Sequence, residues 1–255
     1  MSRQTAPHNE PALALDSVPV GATISAVLSH VVVVYLVCVL PWLGRARHGR
    51  LKRQIEAGDA DARSRFYRRA LAVQLGLILT ILAICLLGSI PAVSLGLAAP
   101  ACSGMTAALA AFLVTVAVST IVLRYKGDRR LKRALQMAGP LLPVSTRERW
   151  LFAVVAVGAG VSEELAFRGF LLFYLGTFLR GLGLPGAVLV CSAVFGLGHL
   201  YQGARGMVIT GLVGLFLAIV YVLSGSLLVP MVAHAALDLR LLAIFTPERL
   251  RKLGA

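Results

Sequence analysis

The chain has 255 residues, 58% of them hydrophobic and only 14% charged, with a formal net charge of +14. Soluble domains carry about a quarter charged residues, so this composition excludes an ordinary soluble protein and points to a chain whose apolar surface is taken up by lipid. The positive charge sits beside apolar runs instead of forming a strip with interleaved aromatics, which sets nucleic-acid binding aside.

Residues 1–19 are polar and proline-containing, with Arg3 as their basic residue. They do not form the charged head of a cleavable signal peptide. The apolar run that follows is long and leads into a basic segment, so it reads as a retained anchor. A helix needs about 20 apolar residues to cross the hydrocarbon core, and about seven stretches qualify. They are 20–43, 70–95, 103–123, 150–179, 184–200, 206–224 and 226–245. The sequence therefore predicts an all-α, polytopic membrane helical bundle. The fourth stretch is long enough to be tilted, or broken near Gly169.

The connections set the orientation. The segment "RARHGRLKRQIEAGDADARSRFYRR" (45–69) reads as a basic loop, and "RYKGDRRLKR" (124–133) is basic too, whereas "SLGLAAPACSG" has no Lys or Arg. Positive segments stay inside, which puts 45–69 and 124–149 in the cytoplasm and the N-terminus outside. Four further spans return the chain to the cytoplasm, where the basic tail 246–255 belongs. Within 131–150, Pro140 and Pro143 interrupt any helix. Ser145 or Thr146 then offers a cap, with Glu148 in the first turn. The chain divides into an N-terminal membrane region, 1–149, a polar-motif core, 150–245, and the tail.

Cys38, Cys85, Cys102 and Cys191 form no CxxC and lie mostly in apolar runs, so they read as small buried apolar residues and not as a disulfide or zinc framework. The C-terminus "RLRKLGA" carries no cysteine, so the chain is not expected to be a prenylation substrate itself.

The last four spans contain ionisable residues that a bilayer excludes: Glu163, Glu164, Arg168, His199, His234, Asp238 and Arg240. A charge at the centre of a span costs about 2.5–3.5 kcal/mol on insertion scales, so such groups face a protein interior or a wet cavity and are paired. In "SEELAFRG" (162–169), Glu164 and Arg168 are four residues apart and share a helix face, which predicts an ion pair. Glu163 is rotated about 100° away and stays available. In "FGLGHL" (195–200), Phe195 and His199 share a face, while Gly196 and Gly198 let another helix approach. In "HAALD" (234–238), His234 and Asp238 share a face.

Such a set suits hydrolysis. A glutamate in an apolar site serves as a general base toward water. One histidine can hold that water, and another can donate a hydrogen bond to the oxyanion of a tetrahedral intermediate. Ser162 adjoins Glu163 but has no histidine at a recognisable spacing, so no serine nucleophile is expected.

The ordered motifs EExxxR (163–168), FxxxH (195–199) and HxxxD (234–238) resemble the CAAX protease and bacteriocin-processing family, also called the Abi family of glutamate intramembrane proteases. The resemblance covers 150–245 and implies an all-helical fold with a polar intramembrane cavity open to the cytoplasm and the membrane. By the same resemblance Glu163 matches the water-activating glutamate, and His199 its water-coordinating partner. His234 and Asp238 match the oxyanion positions, and Glu164, Arg168 and Phe195 match supporting positions. Asp238 stands where the eukaryotic prenyl endopeptidases have asparagine. An ionised aspartate cannot donate to an oxyanion, so it acts protonated or by orienting His234. The implied substrate is a membrane-associated protein or peptide, and no cofactor is expected.

Three other readings stay open. Glu163, His199 and His234 can be read as a His₂Glu zinc set, against which stands the lack of HExxH. Family members linked to bacteriocin self-immunity or scaffolding suggest a non-catalytic membrane partner. A proton-coupled transporter lacks the paired discontinuous helices it needs.

Overall fold

The computed structural model describes residues 19–100 and 139–253, together with helical residues between 109 and 121. Every extended element in this set is a helix, and five are long and apolar enough to cross a membrane. α1 is Val20–Glu56, α2 is Ala62–Leu87 and α3 is Thr146–Phe178. α4 is Gly183–Gly198, α5 is Gly203–Ser224, α6 is Leu228–Ile244, and a short α7, Pro247–Leu253, closes the chain. The five spanning helices are α1 to α5, counting with α4 and α5 the short turns that precede them. The expected third span and the basic segment after it fall largely outside the described residues.

Several of the expected boundaries shift, first because hydropathy marks the lipid-embedded part of a helix, not its ends. The basic stretch 45–69 was expected to be a loop. Instead α1 runs on through Leu40–Glu56 and α2 starts at Ala62, leaving only 57–61 as the turn. Arg, Lys, Gln and Glu are good helix formers, so polarity ends the membrane span without ending the helix. Likewise α2 begins before residue 70 and stops at Leu87, because Gly88, a positive-φ Ser89 (51°) and Pro91 break it. The expected last span, 226–245, is the 17-residue α6, about 25 Å long. It is not one of the five. Asp238 and Arg240 lie in its second half, and its buried residues include Val229, Met231 and His234.

α4 packs most extensively on α5, α3 on α6, and α2 on α3. The core joins Leu36 of α1 and Ile81 of α2 to Phe167 and Phe170 of α3, Phe195 of α4 and Met231 of α6. Close approach of α4 to α5 depends on Gly196: a Cβ there would meet the Met207 carbonyl oxygen at 2.8 Å. Gly198, read in the same way from the sequence, has only ordinary contact, with Leu40 Cδ2 at 3.8 Å. On the opposite side the helices present apolar side chains outward, among them Val31, Leu79, Leu189 and Leu212, as lipid-facing surfaces do. Trp42 and Trp150 are exposed near the basic ends of α1 and α3, where interfacial aromatics belong. The protein is thus a multi-pass, all-α membrane protein.

Candidate active site

α3 carries the first motif, and its start is set by a capping box. Ser145 Oγ accepts from the Glu148 backbone N–H (3.3 Å), and the Glu148 carboxylate accepts from the backbone N–H groups of Ser145 (3.1 Å) and Val144 (2.8 Å). Arg149 turns across to α6, donating to the carbonyls of Leu242 (2.7 Å) and Phe245 (3.0 Å). Those carbonyls end a helix and have no partner within it, so one arginine fixes α3 against α6 at the end nearest the tail.

Just beyond Glu164 the helix widens into a π-helical stretch, Leu165–Leu171. π-turns insert an extra residue and often accompany functional sites. The break that was one of two expectations near Gly169 does not occur: the helix widens there without ending. Arg168 lies within it, fully buried. It donates from Nη1 to Glu164 Oε1 (2.9 Å) and from Nη2 to the Gly214 carbonyl of α5 (2.9 Å), with its guanidinium carbon 4.3 Å from the Phe195 ring centre. A Cβ at residue 214 would come within 2.8 Å of Phe195 and 3.2 Å of Arg168, so a glycine leaves that guanidinium its place. The predicted Glu164–Arg168 pair is present and ties three helices together.

The pair extends further than the sequence indicated. Glu164 Oε1 also bonds His234 Nδ1, at 2.7 Å. A carboxylate held by a guanidinium acts as acceptor, so Nδ1 carries the hydrogen. His234 is therefore oriented by Glu164. Asp238, expected to share that task, lies 3.8 Å from Nε2, beyond hydrogen-bonding distance.

Glu163 is arranged differently. It makes no hydrogen bond with any described residue, and its Oε2, like that of Glu164, is buried without a partner among them. It is close enough to His234, Asp238 and Tyr201 for its charge to act on all three. His199 follows the last residue of α4 and is half-buried. Its Nδ1 lies 2.9 Å from the Phe195 carbonyl oxygen. A carbonyl can only accept, so the neutral ring carries its hydrogen on Nδ1 and presents a lone pair at Nε2. Phe195 lies between the two histidines, its ring centre 5.0 Å from that of His199 and 5.9 Å from that of His234. Asp238 lies within electrostatic reach of both His199 and Arg240. The residues of the three motifs, drawn from α3, α4 and α6, thus converge. Ser162 is buried, and its hydroxyl pairs with no histidine among the described residues.

Two further side chains adjoin the cluster. The Tyr201 ring packs 5.8 Å from His199 and 5.3 Å from His48 of α1. Its hydroxyl accepts from Gln202 (3.2 Å), which in turn accepts from Thr210 (3.0 Å). Tyr201 could have been noticed two residues past His199. His48 sits in a basic run with no pattern to single it out.

Residues 145–240 match the family model described as Type II CAAX prenyl endopeptidase Rce1-like. This stretch is therefore similar to a CAAX-protease-like domain. It takes in every motif residue and less than half of the chain. No curated protein and no solved structure matches. Among the described residues no group of three His, Cys, Asp or Glu side chains is placed to hold a metal ion, and Glu163, His199 and His234 do not make a zinc set. Cys38, Cys85 and Cys191 are free thiols, and Cys191 Sγ donates to the Phe167 carbonyl (3.0 Å). Cys102 lies outside the described residues.

Proposed function

We propose that this protein is an intramembrane endopeptidase in which Glu163 activates water to cleave a peptide bond of a membrane-associated protein or peptide. The observation that carries this reading is the contrast between adjacent glutamates. Glu164 is held through Oε1 by Arg168 and His234, whereas Glu163 makes no hydrogen bond or ion pair with any described residue; each keeps its Oε2 buried. The domain match over 145–240 supports the same class of chemistry.

In this mechanism water lies between Glu163 and Nε2 of His199. Glu163 takes a proton from it as the oxygen adds to the substrate carbonyl carbon, and the carbonyl electron pair moves onto oxygen. His234 meets that oxyanion. With its Nδ1 hydrogen given to Glu164, Nε2 donates only from the imidazolium form, flanked here by Glu164 and Asp238. When the intermediate collapses, the carbon–nitrogen bond breaks. The proton on Glu163 passes to the leaving amine, giving a carboxylic acid and an amine. Glu164, Arg168 and Phe195 position these groups, and Asp238 supplies charge near His234.

The reading includes a polar cavity reached from the cytoplasm and the bilayer, formed by a catalytic core of 150–245 on an N-terminal membrane region. It also includes about seven spans with the N-terminus outside and the tail in the cytoplasm. Reporter fusions at both termini test the orientation, and a cytoplasmic N-terminal reporter overturns it. The enzymatic claim is tested with purified protein and a quenched, membrane-anchored peptide library. Hydrolysis that survives a chelator and is lost in Glu163→Gln is the expected result. No cleavage of any library member by the folded wild type, or equal cleavage by the variant, contradicts it.

A further inference from the structure

A second polar feature lies away from the motifs, where α1 and α2 leave the membrane on their basic side. A cavity of about 380 Å³ opens between them. Arg47 and Arg50 of α1 and Arg69 of α2 line it, and its apolar wall includes Leu43, Leu51 and Phe66. The volume lies in the range of small-molecule sites, about 300–1,000 Å³, and is more than one inorganic anion fills.

Among the described residues the three arginines have no counter-ion. The acidic residues of this hairpin are engaged elsewhere: Glu56 with Lys52 (3.8 Å), Asp59 with Arg65, and Asp61 with Arg147 (4.0 Å). Arg47, Arg50 and Arg69 make no hydrogen bond or ion pair among the described residues. Like charges around one concavity repel unless an anion joins them, and guanidinium groups match phosphate oxygens in a two-pronged geometry.

The level of the cavity narrows the anion. Exposed Trp42 precedes Leu43 on α1, and the apolar run of α2 begins at Ala70, next to Arg69. Aromatic belts mark the headgroup level, so the arginines sit where apolar helix gives way to basic helix. A ligand that fits has a phosphate for the arginines and an apolar portion for Leu43 and Phe66. We infer that the cavity between α1 and α2 is a binding site for the phosphate headgroup of an anionic phospholipid.

The test uses the full chain, purified in detergent, with bound lipid read by native mass spectrometry. Phosphatidylglycerol and phosphatidylcholine of equal acyl chains are titrated separately, the former also in excess inorganic phosphate. Phosphatidylglycerol should bind more tightly, and the combined substitutions R47Q, R50Q and R69Q should weaken it about a hundredfold. The combined substitutions R45Q, R53Q and R68Q remove as much charge from the same helices outside the cavity lining, and should leave binding close to wild type. If the first set fails to fold, R69Q alone should still weaken binding. Equal affinity for the two lipids, or equal weakening by both sets, overturns the inference. Displacement of the lipid by inorganic phosphate overturns the lipid as the occupant and assigns the cavity to a soluble phosphate compound.

Discussion

The protein handles charge in two opposite ways. Between α3 and α6 there are few charged side chains, and all but Glu163 of the central set are buried and bonded: Arg168 to Glu164 and Gly214, and Glu164 to His234. Along the basic ends of α1 and α2 the charges are many and exposed or half-exposed, and some are only loosely paired, as in Lys52–Glu56 at 3.8 Å. The difference teaches that a charge is held by its partners in the first region and by water and headgroups in the second. The same substitution therefore has unequal consequences in the two places.

The strongest way to break this contrast is Arg168→Ala. It strips Glu164 of its guanidinium in a site closed to water, and breaking a buried pair costs about 3–5 kcal/mol. Lower yield and a lower melting temperature in detergent are expected together with lost hydrolysis. A variant that melts like wild type but cannot cleave would give Arg168 a direct chemical role.

The two histidines sharpen the comparison within the core. Losing one oxyanion donor costs on the order of 10²–10³ in rate; an amide N–H can replace that donor, whereas an amide oxygen is a far weaker base toward water than an imidazole nitrogen. His234→Gln should therefore keep some turnover, with His199→Gln below it. Measured kcat values in the opposite order would exchange the two roles.

The smallest effect belongs to the basic hairpin. Lys52→Ala removes one exposed, salt-screened partner, and such pairs contribute about 0–1 kcal/mol. Its melting temperature should match wild type. A large drop would mean that the hairpin is held by its ion pairs and not by its apolar contacts.

What the sequence revealed follows the range of its signals. The Glu164–Arg168 pair and the Ser145–Glu148 cap are contacts between residues three or four apart, and helical spacing predicts both. The bond from Glu164 to His234 joins positions 70 residues apart and depends on how α3 meets α6. Spacing within one helix could not show that Glu164, and not Asp238, orients this histidine. Continuation of α1 beyond residue 45 was within reach of helix propensity, but was hidden by reading polarity as a loop. The packing of His48 against Tyr201, whose ring in turn packs on His199, follows from that continuation.

The central claim is that one glutamate serves chemistry and its neighbour serves structure. The direct test measures hydrolysis and thermal melting of Glu163→Gln and Glu164→Gln side by side. General base catalysis contributes about 10²–10⁴ in rate, so Glu163→Gln should lose turnover on that scale and melt like wild type. Glu164→Gln, which leaves Arg168 without its carboxylate, should melt at a clearly lower temperature. Full turnover in Glu163→Gln, or wild-type melting in Glu164→Gln, would contradict the account.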